Sequence, residues 1–351
     1  MMDPMPRPPL DVLHDAWLEL GDPRPIVAIN EVSAMVSTNR VYRLVLADGD
    51  TRIAKLSSYG SYFLFYEDHD RIHRCNQLLV GTRYGSLLAD SVLRPDGHVF
   101  THYEGDAWVV FYDEVPRKRS LPPILDDNEI DRFATEMALF HRQCAEIAPQ
   151  IPPASASITS DAVSLLRLVS DPSAAARFDL SAEGLDVVRR HTHEFLLGLQ
   201  EVGYSEWQKM PVLIDWNLGN FSVEDSPEGF RLFSRWDYDW FRIDTRLLDF
   251  YFLSRVSSRT GDRSHFTYSP HTLLEPRFRR FLRAYHGVYP LTEADILFLK
   301  EAYRFFILQY VISQGDAFFR ADIWERLQRE AVAVYLPAVE RLDLTPLLDL
   351  L

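Results

Sequence analysis

The most constraining feature of the sequence is a pair of short apolar runs, each of which ends in an acidic residue. Asp215 follows the run at 212–214, and Asn220 lies five residues further along the chain. Asp237 closes the second run, at 231–236. Phosphoryl transfer needs a carboxylate that deprotonates a hydroxyl, and an amide and a second carboxylate that hold Mg²⁺ on nucleotide phosphates. The spacing favours such a site, although an isolated Asp-x4-Asn is also common in ordinary turns.

The first third of the chain is rich in strand and turn signals. Residues 41–46 and 51–56 flank an Asp-Gly turn, which predicts a β-hairpin. A helix is predicted next, over 62–79. Turn residues then separate three further predicted strands, at 87–93, 98–103 and 107–115.

A basic, proline-rich stretch at 116–123 separates this region from the rest of the chain and is predicted to be a hinge. Over 129–147, apolar residues recur at spacings of three and four, which predicts an amphipathic helix. From about Asp244 the chain is predicted to be mostly helical, with Thr292 and Asp295 capping one helix. The order of elements therefore predicts a small strand-rich lobe joined to a larger helical lobe.

The composition excludes several classes of protein. With 351 residues, 47% hydrophobic and 25% charged, the chain has the make-up of a folded soluble protein with two lobes or domains. A net charge of −14 disfavours binding to nucleic acid and to anionic membrane surfaces. Cys75 and Cys144 are the only cysteines, which fits a reducing cytoplasm. No run of apolar residues is long enough to predict a membrane span.

The motifs resemble those of the aminoglycoside phosphotransferase and choline kinase family. The family pattern is His-Gly-Asp-x4-Asn followed by Ile-Asp-Phe/Trp, and this chain has Leu213-Ile214-Asp215 and Trp236-Asp237-Tyr238 at the two places. The resemblance covers roughly residues 26–335. It implies an α+β, protein-kinase-like bilobal fold with a small antiparallel-sheet lobe and a larger helical lobe. The predicted divisions are a flexible leader with a first helix (1–25), a nucleotide-binding lobe (26–115) and a catalytic, substrate-binding helical lobe (116–351).

The resemblance also implies roles for individual residues of the helical lobe. Asp215 is the predicted catalytic base, and Asn220 and Asp237 are the predicted Mg²⁺ ligands. The segment RLLDF at 246–250 is similar to a family segment whose aspartate, Asp249 here, braces the catalytic loop. His141 matches a family histidine and is interpreted as structural.

In the strand-rich lobe the resemblance implies nucleotide contacts at Ser37, Asn39, Lys55, Glu67, Asp113 and Val115. Ser37 and Asn39 belong to a loop that lacks glycine, and Lys55 would contact the α- and β-phosphates. An acidic residue of the following helix would hold Lys55, with Glu67 as the first choice and Asp70 as the second. Asp113 and Val115 lie where the hinge between the lobes would bind adenine through its backbone.

Two departures from the family pattern affect the catalytic loop. Leu213 replaces the histidine, so the loop keeps a packing residue and loses a polar brace. Ile214 replaces the glycine and makes the loop bulkier. Asp239, two residues after Asp237, could face the cleft or cap the turn.

The resemblance implies an enzyme that uses ATP and Mg²⁺ to phosphorylate a hydroxyl of a sugar, aminoglycoside, amino alcohol or amino acid. Its only expected partner is this small-molecule acceptor, with no nucleic acid and no membrane, in a cytoplasmic monomer or homodimer. The alternative is a catalytically inactive nucleotide-binding protein on the same fold. A protein kinase is disfavoured because the sequence lacks Gly-x-Gly-x-x-Gly, His-Arg-Asp, Asp-Phe-Gly and Ala-Pro-Glu.

Overall fold

The computed structural model describes residues 7–34, 39–58, 60–261 and 268–351. Within these residues a five-stranded antiparallel sheet comes first and a mostly helical region follows, which confirms the predicted α+β class. The divisions at residues 25 and 115 stay a prediction, because one apolar core extends from the helix at 62–79 through the helical region.

The sheet is built from two consecutive strands, an edge strand before them and a later hairpin. Its strands are β1 (Ile26–Glu31), β2 (Arg40–Leu46), β3 (Thr51–Ser57), β4 (Thr101–Tyr103) and β5 (Trp108–Asp113). They lie in the order β1-β2-β3-β5-β4. The predicted hairpin is confirmed by β2 and β3, whose turn contains Gly49 in the left-handed region at φ 90°.

The two faces of the sheet are covered by different helices, α1 (Pro9–Leu20) and α2 (Tyr62–Leu79). Because successive side chains of a strand point to opposite faces, Val109 and Phe111 of β5 pack in the core formed with α1. Val110, between them, packs in the larger core that contains α2. Lys55 lies directly opposite Val110 in the β3–β5 register and therefore faces α2.

The structure corrects the predicted strand at 87–93, which forms only isolated bridges. The second half of the segment pairs at single points, where Val92 N donates to Phe111 O and Val92 O accepts from Phe100 N, each at 2.9 Å. In the first half a side chain takes the place of a neighbouring strand, because Ala89 N donates to the Tyr238 hydroxyl at 2.8 Å. The segment is therefore a loop whose buried apolar residues, at 87–89, have the same pattern as those of a short strand.

The rest of the chain is mainly helical, as predicted. Its helices are α3 (Asp127–Ile147), α4 (Ile158–Ser170), α5 (Ala174–Phe178), α6 (Ala182–Glu201), α7 (Phe250–Val256), α8 (Pro276–His286), α9 (Glu293–Phe306), α10 (Gly315–Phe318), α11 (Ala321–Glu330) and α12 (Leu336–Glu340). The predicted helix at 129–147 is confirmed by α3. The capping box of Thr292 and Asp295 is confirmed at the start of α9. None of the helices described here is long and apolar enough to cross a membrane.

Two small antiparallel sheets of two strands each and a π-helix complete the region around the predicted catalytic loop. The sheets are β6 (Met210–Val212) with β9 (Arg242–Asp244), and the hairpin of β7 (Phe221–Ser226) with β8 (Gly229–Arg235). The long interval between Asn220 and Asp237 is thus a β-hairpin. A π-helix at Ile307–Ser313 continues directly from α9.

Candidate active site

The predicted catalytic loop begins after β6 with two very tight turns. Asp215 N donates to Leu213 O at 2.7 Å, and Trp216 N donates to Ile214 O at 2.9 Å. Ile214 adopts a left-handed conformation with φ of 56°, which is an outlier for a β-branched residue. Such backbone strain costs on the order of 1–3 kcal/mol and persists only where the surroundings hold the residue in place. The loop therefore depends on contacts from other elements.

Asp249 supplies the main contacts to this loop. Its Oδ1 accepts a hydrogen bond from Ile214 N at 2.8 Å, and its Oδ2 accepts from Trp216 Nε1 at 2.7 Å. His141 Nε2 donates to Oδ2 at 2.9 Å, and Tyr285 bonds the other ring nitrogen of His141 at 2.7 Å. Asp249 and His141 are both fully buried. These contacts match the brace that the resemblance implies for Asp249, and they give His141 a structural role.

The three residues of the predicted catalytic motif come together at the ends of two adjoining loops. Trp236 N donates to Asn220 O at 3.0 Å, which places the Asp237 loop beside the Asp215 loop. Asp237 is also left-handed, with φ of 73°. Burial, followed by the charge of the nearby Asp237, raises the pKa of Asp215 to about 7. The Asp215 carboxylate accepts a hydrogen bond from Asn217 N at 3.2 Å.

The donor set at this place fits a hard divalent cation that is carried on phosphates. Asn220 Nδ2 donates to Asp215 O at 3.5 Å, which leaves the Asn220 side-chain oxygen for a cation. Asp237 adds a carboxylate. In the part of the chain that the structure describes, no group of three or more His, Cys, Asp or Glu residues could hold a metal by itself. A cation held by Asn220 and Asp237 would therefore take its other ligands from phosphate oxygens and water, as Mg²⁺ commonly does.

Lys55 and Asn39, two of the residues predicted to contact the nucleotide, are both held by Asp239. The Lys55 ammonium forms an ion pair with Asp239 Oδ1, and Asn39 Nδ2 donates to Asp239 Oδ2 at 2.6 Å. We call this pair of contacts the Asp239 bridge. Burial lowers the pKa of Lys55 to about 8, against the opposing charges of Asp237 and Asp68. The ambiguity about Asp239 is thereby resolved, because its side chain faces the cleft.

The structure corrects the predicted pairing of Lys55 with Glu67. The Glu67 carboxylate lies 2.8 Å from the Arg71 guanidinium and accepts hydrogen bonds from Ser155, so it points toward the 152–155 segment. The second choice, Asp70, is no better placed. Its carboxylate lies 2.9 Å from His98 Nδ1 and also accepts a hydrogen bond from the backbone of the same turn.

Asp68 is the carboxylate of α2 that acts on Lys55. Both residues line one cavity, and each carries a charge that shifts the pKa of the other. Burial, with a smaller contribution from Asp161, raises the pKa of Asp68 to about 7 against the opposing charges of Arg242 and Lys55. Asp68 thus takes over the position for which Glu67 was predicted.

A helical pattern in the sequence could have identified Asp68. The buried residues Phe65, His69 and Ile72 mark the inner face of α2 at spacings of four and three. Asp68 lies three residues after Phe65 and shares that face, whereas Glu67 lies two residues after Phe65 and does not. Glu67 was predicted because its side chain is longer, but the direction in which the helix points each side chain determines which carboxylate lies near Lys55.

The remaining predicted nucleotide contacts divide into three cases. Ser37 lies outside the residues that the structure describes. Asp113 ends β5 and gives its backbone N–H to Asp90 O at 2.8 Å. Val115 is partly buried against the core, and its backbone N–H has no hydrogen-bond partner among the described residues. Of the two hinge residues, Val115 is therefore the one whose N–H is available to a base.

A cavity of about 110 Å³ lies beside Lys55, between α2 and the helical region. Its lining includes Lys55, Asp68, Asp161, Asp239, Trp240 and Tyr310. Asp161 forms an ion pair with Arg242 at 2.7 Å, so Arg242 balances that carboxylate. Gln309 and Tyr310 reach the cavity from the π-helix. The cavity therefore has charged and aromatic side chains both from α2 and from the helical region.

Comparison with known proteins gives a match in structure and none in sequence. No model of a known protein family matches the chain, and no curated protein matches it. Among solved structures, an amicoumacin kinase in complex with AMP-PNP and Ca²⁺ aligns over 97% of this chain and 96% of its own, with 15% identity and a TM-score of 0.62. This chain has the fold of small-molecule kinases.

Two further structures support the same fold. A microcompartment-associated aminopropanol kinase covers 95% of this chain and 100% of its own, at 16% identity and a TM-score of 0.63. An aminoglycoside phosphotransferase in complex with GDP and kanamycin covers 93% and 98%, at 15% identity and a TM-score of 0.58. The kinase-like alignment extends over nearly the whole chain in each case, so the likeness includes both the sheet and the helical region.

Proposed function

We propose that this protein is a small-molecule kinase, which transfers the γ-phosphoryl group of ATP to a hydroxyl group. The observation that carries the proposal is the meeting of Asp215, Asn220 and Asp237 at two adjoining loops. Lys55 lies on the facing strand within reach of the charge of Asp237. In this proposal residues 26–115 bind the nucleotide, and residues 116–351 hold the catalytic loops and the acceptor.

Asp215 is the proposed general base. Its raised pKa, near 7, suits a group that must accept a proton at neutral pH. The acceptor oxygen forms a bond to the γ-phosphorus, and the bond from that phosphorus to the β–γ bridging oxygen breaks. The hydroxyl proton passes to Asp215, and ADP leaves with the bridging oxygen.

The nucleotide would bind between the sheet and the two loops. Asn220 and Asp237 would hold Mg²⁺, which when bound neutralises charge on the phosphates. Lys55 would contact the α- and β-phosphates, with Asp68 as its acidic partner in place of Glu67. The solved structures with AMP-PNP and with GDP support a nucleoside triphosphate in this cleft. The Asp239 bridge would compete with the phosphates for the Lys55 ammonium, which has three donors.

The acceptor is proposed to be a small molecule with a hydroxyl group. The comparable structures are of kinases for amicoumacin, aminopropanol and aminoglycosides, and the range of candidates is sugars, aminoglycosides, amino alcohols and amino acids.

The proposed setting is the cytoplasm, and the proposed state is a monomer or homodimer that binds no nucleic acid. Cys75 and Cys144 are both buried free thiols, which fits a reducing compartment. The charge of −14 disfavours nucleic acid as a partner.

A panel of acceptors tests the proposal. The purified protein is incubated with Mg²⁺ and ATP or GTP, together with individual sugars, amino alcohols, hydroxy amino acids and aminoglycosides. Nucleoside diphosphate release that one acceptor class stimulates, with phosphate found on that acceptor, would support the proposal. Nucleotide binding with no transfer to any member of the panel would support the inactive alternative.

Asp215→Asn tests the role of the base. We expect activity to fall by roughly 10²–10⁴-fold, because a positioned base contributes about this factor, while nucleotide binding is retained. The matched control is Asp225→Asn, at an exposed residue of β7 that pairs with Arg119. A rate for Asp215→Asn above half that of the control would contradict the assignment.

A further inference from the structure

Arg235, the last residue of β8, is a fully buried arginine between the two catalytic loops. Burial of a guanidinium group is costly unless the group is paired and hydrogen-bonded. Two other buried arginines form ion pairs with carboxylates, Arg246 with Asp295 at 3.1 Å and Arg304 with Glu194 at 2.7 Å. Arg235 forms no ion pair with a carboxylate among the described residues, and the charges of Asp215, Asp237 and Asp249 act on it without direct contact.

The hydrogen bonds of Arg235 join one catalytic loop to the other. Its Nη2 donates to Leu213 O and to Asp237 O, each at 3.2 Å. The guanidinium also lies over the ring of Trp216, with its carbon 4.8 Å from the ring centre. The carbonyl of Leu213 belongs to the turn that presents Asp215. One nitrogen atom of Arg235 therefore bonds both the turn that presents the proposed base and the backbone of the proposed metal ligand.

Both of the loops that Arg235 joins contain strained backbone. Ile214 and Asp237 are left-handed at φ of 56° and 73°, and neither is a glycine. Asp249 holds the first loop through Ile214 N, and among the described residues its hydrogen bonds go to Ile214, Trp216 and His141 and not to the Asp237 loop. A backbone hydrogen bond from Trp236 N to Asn220 O also joins the two loops, and Arg235 adds a side-chain link from Leu213 O to Asp237 O. The side chain of Leu213 has no donor with which to make such a link.

We propose that Arg235 is a positioning residue, which holds the Asp215 loop and the Asp237 loop in register for phosphoryl transfer. It acts through two backbone carbonyls and does not touch the reacting groups. Because errors of about 1 Å in the alignment of reacting groups can cost about 10²-fold in rate, a loose register lowers turnover more than binding. The kinetic part of this inference rests on the proposed function, whereas the link between the loops does not.

The test compares Arg235→Met with Arg304→Met, a buried arginine far from these loops whose loss breaks an ion pair with Glu194. Amide hydrogen exchange is followed by mass spectrometry in segments 213–217 and 235–239, without any ligand. We expect Arg235→Met to raise exchange in both segments together. Arg304→Met should lower thermal stability and leave both segments as in the wild type.

Kinetics give the second measurement. We expect Arg235→Met to lower kcat about 10²-fold while KM for nucleotide changes less than about threefold. Arg235→Lys, which keeps a charged donor at the site, should recover part of kcat. If Arg235→Met does not fold, Arg235→Gln takes its place with the same expectation, because glutamine is too short to reach both carbonyls.

Two results would overturn the inference. One is exchange in Arg235→Met or Arg235→Gln that matches the wild type in either segment. The other is a kcat within about threefold of the wild type in a folded variant. If the wild type itself transfers no phosphate, the proposed function fails, and the exchange measurement still decides whether Arg235 links the loops.

Discussion

Asp68 of α2 should destabilise the folded protein whenever its carboxyl group is ionised. Burial raises its pKa from 3.8 to about 7, so the folded state keeps a proton that the unfolded chain has already lost. Where the folded state binds more protons than the unfolded state, the free energy of unfolding falls as pH rises. The penalty is therefore absent below the unfolded pKa, grows between the two values and is complete above about pH 7.

The size of the penalty follows from the two pKa values. A difference from 3.8 to about 7 corresponds to at most roughly 4 kcal/mol, at 1.36 kcal/mol for each pH unit. Asp68 is partly reached by solvent, which reduces the effect, so about 2 kcal/mol is a reasonable expectation. Asp68→Asn removes the ionisable group and should raise the free energy of unfolding by this amount at pH 8. The gain should disappear near pH 4.

Urea unfolding of the nucleotide-free protein between about pH 4 and pH 8 measures this difference. The matched control is Asp70→Asn on the same helix, where the carboxylate is hydrogen-bonded to His98 and to Val99 N. The control variant should lose stability at neutral pH. A gain for Asp68→Asn that does not change with pH, or a loss at pH 8, would show that the Asp68 carboxylate is not penalised by burial.

Two further predictions concern nucleotide binding, and calorimetry tests both. Asp237→Ala should weaken Mg²⁺-ATP binding at least about 10-fold more than Asn220→Ala does, because a carboxylate brings a full charge to the cation and an amide only a dipole. Equal losses of affinity in the two variants, or a larger loss in Asn220→Ala, would contradict this ranking. Asp239→Asn should strengthen Mg²⁺-free ATP binding about 3- to 10-fold, because the amide cannot form the ion pair that competes with the phosphates for Lys55. Weaker binding by this variant would instead make Asp239 part of the nucleotide site.

The sequence predicts the elements of this fold best where local chemistry determines them. The Asp-Gly turn and two alternating runs were enough for the hairpin of β2 and β3, and the predicted helix at 62–79 has the observed bounds of α2. The meeting of Asp215 with Asp237 followed from the family resemblance, since their separation in the chain carries no information about distance. Only the fold brings their loops together.

The features that the sequence could not predict depend on the direction of side chains in space. Glu67 and Asp68 are neighbours in the chain, yet α2 turns only the second toward Lys55. In β8, exposed and buried residues alternate up to Phe233, and continued alternation would expose Arg235. The strand instead ends with Ser234 and Arg235 both buried, because the catalytic loops cover it. No periodicity in the sequence carries that information.

The shape of the cavity beside Lys55 depends on the number of residues in the π-helix at Ile307–Ser313 as well as on the identity of those residues. A π-turn holds one residue more than an α-turn, so the segment contains an extra residue at the C-terminal end of the helix that α9 begins. Deletion of one residue there would allow regular α-helix and would rotate everything after it by about 100° relative to α9. Tyr310 and Gln314 could then no longer line the same cavity. A single-residue insertion or deletion in this helix would thus reshape the cavity beside Lys55 while the loops of Asp215 and Asp237 stay the same.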